Sequence, residues 1–143
     1  MTLETNAVQM AKHGYAAKLF ETGVTTAFVS LHCGDAAVSN AITRAPGTHA
    51  RTAKGIRELL DAGIQVILNA VMTADGLEHL GGLPDFIDAA FGRHPLLTGL
   101  MLSYPTEPFD RSLMAATAPD PEPLRAALGR AIERARLVQC RHP

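Results

Sequence analysis

Five side chains in this 143-residue chain combine reactive or recognising groups with placement toward the ends of apolar runs, Ser30, His32, Asn69, Thr73 and Ser103, and a sixth, Arg44, lies in the loop between two of those runs. Ser30 and His32 close the run 24–32. Asn69 and Thr73 lie in the later half of the run 64–73, and Ser103 ends the run 97–104. In parallel α/β folds ligands gather at the carboxyl ends of strands, so these groups would share one rim. His32 lies on the same face as Ser30 by strand alternation. Its imidazole titrates near neutral pH and suits a base or a substrate contact; a partly exposed loop histidine is the plainer reading. Asn69 interrupts an apolar strand, where an amide without partners costs about 1–3 kcal/mol. It shares a face with Ile67, Val71 and Thr73, so that face turns polar only toward its top. Arg44 sits in the loop above the strand ends. There a guanidinium could grip a carboxylate with both arms, or simply meet solvent. Ser30 and Ser103 could line a pocket or satisfy strand-end backbone groups.

The elements that must hold these groups read as a βαβ unit with extensions. The spacing predicts strands over 24–32, 64–73 and 97–104, and helices over 6–20, 48–62, 75–92 and 121–138. In the helix 48–62, Ala53, Ile56, Leu59 and Leu60 form a buried stripe opposite Arg51, Lys54, Arg57 and Glu58. Thr48 is read as its cap, after a loop holding Thr43-Arg-Ala-Pro-Gly47. Strand 64–73 is nearly continuous in apolar residues, as expected of a strand covered on both faces. The stretch 75–92 is broken at Gly81-Gly82 and restarts at Pro84, with Phe86, Ile87, Ala90 and Phe91 inward. Pro-rich residues 105–120 form a loop. Asp120 and Pro121 then open the last helix, whose apolar face carries Leu124, Ala127, Leu128, Ala131, Ile132 and Ala135.

Glu21-Thr-Gly-Val24 and Asp61-Ala-Gly-Ile64 are the same junction, a glycine closing a helix and a β-branched residue opening a strand. Repeats of this length are those of a (βα) barrel, and right-handed crossovers place the strands in one parallel sheet. The expected fold is therefore α/β, a single partial TIM-type barrel domain over 1–143 with about three parallel strands and flanking helices. Three strands cannot close, so both edges stay open and apolar. They invite a homo-oligomer or a completing partner.

Composition excludes several classes. Thirteen basic against 14 acidic side chains give a net charge of -1, with no basic stripe for nucleic acid. No apolar run approaches the roughly 18 residues of a membrane span, and residues 1–6 lack the pattern of a signal peptide, so a cytoplasmic location is expected. Two cysteines, Cys33 and Cys140, make neither a disulfide framework nor a zinc pattern. His49, His79 and His94 show no metal spacing and read as surface residues. Met72, Met101 and Met114 read as core filler. No metal site is expected.

An ordered set of short motifs carries a resemblance. Thr5-Asn6-Ala7, Val29-Ser-Leu-His32, Ile42-Thr-Arg-Ala-Pro-Gly-Thr48, Gly55-Ile56 and Gly63-Ile-Gln-Val-Ile-Leu-Asn69 resemble, in order and spacing, the middle and later part of the radical S-adenosylmethionine core domain. The resemblance covers roughly residues 5–105 and is clearest there. In that family a Thr-Asn-Gly type turn ends the third strand. A fourth strand then ends in a polar residue, a Pro-Gly-Thr/Ser step opens a helix with Gly-Ile, and a fifth strand ends near Asn. The family's C-x-x-x-C-x-x-C run and its Gly-Gly-Glu-Pro type stretch are absent from this chain.

The resemblance implies S-adenosylmethionine and a [4Fe–4S] cluster as cofactors, with the cluster ligands outside this chain. It implies Ser30, Asn69 and Arg44 as cofactor contacts, Ser30 toward the ribose, Asn69 toward the adenosine or ribose, and Arg44 toward the amino-acid end. His32 and Ser103 then face the substrate. The resulting expectation is a fragment of a radical enzyme, contributing cofactor and substrate contacts to hydrogen abstraction by a 5′-deoxyadenosyl radical and inactive alone. Catalytic residues and the substrate, small molecule or peptide, are not named by the sequence. Two alternatives stand beside it: a non-catalytic barrel fragment that acts as a binding or assembly module, and a cluster-independent α/β enzyme with a small polar site at the strand ends.

Overall fold

The computed structural model describes residues 1–105 and 118–140, and the side chains of residues 139 and 140 are not among what it describes. Most of the expected loop 105–120, with Met114, and the Cys140 thiol therefore lie outside the described residues. Four strands form one parallel sheet in the order β1 (Thr2–Thr5), β2 (Thr26–Ser30), β3 (Gln65–Val71) and β4 (Leu97–Ser103). The helices are α1 (Tyr15–Glu21), α2 (Ala36–Thr43), α3 (Thr48–Asp61), α4 (Leu83–Phe91) and α5 (Pro121–Cys140), with 3-10 segments at Gln9–Ala11 and Ala74–Gly82.

Three of the strands are the expected ones, trimmed at their ends. The fourth, β1, is a correction: Thr2-Leu-Glu-Thr5 is too short and too polar to announce itself, but it pairs with β2 from Thr2↔Thr26 to Thr5↔Val29. The helix expected over 6–20 is also corrected. Gly14 stands at φ +73° and starts α1 only at Tyr15, after the short 3-10 segment. The loop between β2 and α3 holds a further helix, α2. Asp35 caps it, its Oδ1 accepting from the Val38 N–H at 2.9 Å. Thr48 does not cap α3. Gly47, at φ +75°, takes the cap position, and the Thr48 hydroxyl donates back to the Ala45 carbonyl at 2.7 Å.

The repeated junction is a matched pair of helix stops. Gly23 and Gly63 stand at φ +90° and +86°. Gly23 N–H donates to Phe20 O and Val24 N–H to Leu19 O; Gly63 N–H donates to Leu60 O and Ile64 N–H to Leu59 O. Both are the paired bonds of a Schellman ending, in which glycine accepts the left-handed backbone without a Cβ clash.

Burial alternates strictly along β2 and β3. Ala27, Val29, Val66, Leu68 and Ala70 are buried, whereas Phe28, Ser30, Ile67, Asn69 and Val71 are half-exposed. The buried side chains join one core with Ile56, Leu59 and Leu60 of α3 and with Ala127 and Ala131 of α5. Each large apolar side chain of α3 contributes about 1.5–3 kcal/mol by leaving water. The expectation that β3 is covered on both faces is thus corrected: its apolar run packs on helices from one side, and the other face is open among the described residues.

α3 approaches the end of β1 closely. A Cβ on Gly55 would lie 2.0 Å from the Ala7 carbonyl oxygen. Ala7 is itself at φ +57°, in a turn held by Thr5 Oγ1 and Asn6 Oδ1, which accept from the Ala7 and Val8 N–H groups. Thr52 Oγ1 of α3 closes the same joint by donating to Asn6 O at 2.9 Å.

Candidate functional site at the strand ends

The open face becomes polar at its carboxyl rim, and the sheet register sets the order of the groups. Ser30 of β2 stands opposite Asn69 of β3, which stands opposite Met101 of β4; Val71 stands opposite Ser103. Ser103 Oγ donates to Asn69 Oδ1 at 2.6 Å. The amide oxygen is therefore engaged, and the Asn69 NH2 keeps its two donors free of partners among the described residues. Ser30 Oγ has no hydrogen-bond partner among them either. Three of the five contacts implied by the resemblance thus form one row, Ser30–Asn69–Ser103.

His32 stands beyond Ser30 and reaches sideways to β3, where its Nδ1 accepts from the Val71 N–H at 3.2 Å. A main-chain N–H can only donate, so Nδ1 is unprotonated and Nε2 carries the hydrogen. Burial holds the imidazole below its ordinary value of 6.5. His32 is therefore fixed as an Nε2–H donor at neutral pH, which fits a substrate contact and removes its Nδ1 from use as a base.

Ser30 and His32 also line a small cavity of about 120 Å³ between the ends of β1 and β2 and the start of α3. Asn6, Ser39, Thr48 and His49 line it as well. Ser39 is 6% exposed, and its hydroxyl has no partner among the described residues. His49 is a correction to the surface reading. It is 7% exposed, its Nε2–H donates to Cys33 O at 3.1 Å, and its ring lies 5.0 Å from that of Phe86. The signal was present in the sequence: stepping back from Ala53 and Ile56 at helical spacing leads to His49 and Thr52. His79 is exposed and His94 half-buried.

Arg44 ends α2 in the left-handed region at φ +52°, exposed to solvent. Its neighbours Thr43 and Ala45 line the small cavity, while Arg44 does not. It stands at the rim rather than in the polar row. Thr73 Oγ1 is buried without a partner, in the pocket shared by His32 and Gly76.

Cys33 is buried, and its Sγ accepts from the Asp35 N–H at 3.3 Å. Burial pushes its thiol above the ordinary range, so it is neither a ready thiolate nor part of a ligand set. Among the described residues no group of three His, Cys, Asp or Glu side chains is arranged to hold a metal. No helix among them is long and apolar enough to cross a membrane. A wider cavity, about 470 Å³, lies elsewhere, on the helix side near the start of β4, between Ile87, Leu97, Leu100 and Val138. It holds none of the expected site residues. No family model matches the chain, and no curated protein matches it.

Proposed function

We propose that this chain is the adenosyl-binding portion of a radical S-adenosylmethionine barrel, with the open face of its sheet as part of the barrel interior. The single observation that carries the proposal is the row Ser30–Asn69–Ser103, polar groups of three adjacent strands placed together at the carboxyl rim of an otherwise partly apolar face. The donor set fits the adenosine part of the cofactor. The Ser30 hydroxyl and the Asn69 NH2 would meet ribose hydroxyls or adenine nitrogens, and Ser103 orients the amide by holding its oxygen. The His32 Nε2–H donor faces the substrate, and Arg44 serves the carboxylate from the rim.

The backbone supports the same reading. Ala7 takes the left-handed turn where the family has glycine, and Gly55 provides the close approach of α3 to that turn. The cluster does not fit the described residues: Cys33 is buried, and no described group of side chains replaces the missing cysteine run. No step through a cluster is derived for this chain. The cofactor, when bound beside such a cluster, supplies the radical chemistry; this chain's residues bind and orient it.

Calorimetric titration with S-adenosylmethionine and S-adenosylhomocysteine tests the proposal. Both should bind, and Ser30→Ala and Asn69→Leu should each weaken binding roughly two- to tenfold, the worth of one hydrogen bond. No binding, or binding unchanged in both variants, contradicts it. A cluster-independent enzyme at the same rim is the second reading, favoured by the partnerless Ser39 hydroxyl in the cavity beside His49.

A further inference from the structure

The large hydrophobic side chains left exposed among the described residues share one distribution. They are Met1, Tyr15, Phe20, Leu100, Met101, Tyr104, Ile132 and Leu137, from 37% to 70% exposed. All belong to the first strand–helix unit, β1 with its preceding residue and α1, or to the last, β4 with its following residue and α5, although the Phe20 ring turns inward toward Gly63. None lies on β2, α2, α3, β3 or α4. Scattered exposed hydrophobics are ordinary on a protein surface; their confinement to the two ends of a sequentially ordered sheet is not.

The two ends are also where backbone pairing stops. The Met72 N–H bonds to Ser103 O, so by parallel-strand alternation the N–H groups of Leu100 and Leu102 point away from β3. The Thr26 N–H bonds to Met1 O, so those of Thr2 and Glu4 point away from β2. A sheet with four parallel strands in sequential order, helices on one face and two free edges has half the strands of an eight-stranded barrel.

We infer that a second copy of this chain closes the sheet, with β4 of each copy pairing with β1 of the other about a two-fold axis along the strands. Such an axis keeps all eight strands parallel and makes two identical seams, so the assembly closes with no edge left over. At each seam the helix following β4 meets the helix following the partner's β1. Ile132 and Leu137 of α5 are thereby brought toward the unit that carries Tyr15, while Leu100 and Met101 enter the seam itself. Ile132, expected on the core face of its helix, is left in solvent by the single copy. The open face, with Phe28, Ile67 and Met101, becomes interior. The inference rests on the fold and the surface alone and stands apart from the cofactor reading. A cluster-bearing segment joining at β1 would compete with the second copy for that edge.

Sedimentation velocity over a wide range of loading concentrations tests it. The chain should run as a dimer of twice its 15.2 kDa mass. Two variants strike the seam in different ways. Leu100→Pro removes an edge N–H that a lone sheet does not use. Met101→Lys places a charge that a lone sheet leaves in water and a closed barrel buries. Each should weaken the dimer at least about tenfold, with helical circular dichroism retained. In the unaltered chain, amide exchange at Leu100 and Leu102 should be slow and should quicken on dilution. A monomer throughout, as expected if another polypeptide completes the sheet, overturns the inference. So does an open-ended larger assembly, or a dimer in which both amides exchange freely.

Discussion

Asn69 stands between two serines: Ser103 donates to its amide oxygen at 2.6 Å from β4, and Ser30 faces it in register from β2. One strand residue thereby links the polar ends of three strands. Its NH2, without a partner among the described residues, is the group most directly offered to a ligand on the open face.

That bond should be measurable without any ligand. Ser103→Ala and Asn69→Ala should each lower the unfolding free energy by about 0.5–1.5 kcal/mol, and a double-mutant cycle in urea should return a coupling near 1 kcal/mol. A coupling of zero would mean the two side chains do not hold each other.

His32 makes stability depend on pH. Burial lowers its folded value below 6.5, and the Val71 N–H requires its Nδ1 unprotonated. The unfolded chain therefore binds the proton more readily than the folded one. The stabilisation is fully present above pH 6.5 and is lost as pH falls from there through the folded value. His32→Asn offers an amide oxygen as acceptor and does not titrate. It should flatten the part of the stability–pH curve below 6.5, as read by urea midpoints in parallel buffers.

Two glycine positions should resist alanine for different reasons. Gly55→Ala drives a methyl into the Ala7 carbonyl and should cost on the order of 1–3 kcal/mol or more, as overpacked cores do. Gly63→Ala has room for its methyl beside the Phe20 ring but must hold φ at +86°, a cost of roughly 1–2 kcal/mol. Chemical denaturation of both variants distinguishes steric from conformational loss: relaxing the neighbour by Ala7→Gly should rescue part of the Gly55 defect and none of the Gly63 defect.

What the sequence disclosed follows from how local each feature is. Gly23 and Gly63 were legible because a Schellman stop is written in six adjacent residues. Ser30 and Asn69 were legible because alternation fixes their face. β1 was not legible from periodicity, because Thr2-Leu-Glu-Thr5 is an edge strand whose existence depends on pairing with β2 far along the chain; only the resemblance, which sets Thr5-Asn6-Ala7 at a strand end, pointed to it. α2 was hidden by the turn residues around it, although Asp35 before Ala36-Ala-Val38 is a capping pattern. The Ser103–Asn69 bond could not be read at all. It depends on a register shift between Val66 and Ile67 that no local pattern announces.

The isolated chain, supplied with iron, sulfide, reductant and S-adenosylmethionine, should release no 5′-deoxyadenosine. Cys33 is buried, with its thiol held above the ordinary range, and the described residues offer no ligand set. Chromatographic detection of that product above a protein-free control would overturn the assignment of the cluster to another segment.

The most direct test of the central claim, that the carboxyl rim of the open face is the adenosyl site, is an NMR titration of the isotope-labelled chain with S-adenosylhomocysteine. The account predicts shifts concentrated at Ser30, His32, Asn69 and Ser103, with the Asn69 side-chain NH2 signals moving most. Shifts confined to the groove between α4, β4 and α5, or none at saturating ligand, would contradict it.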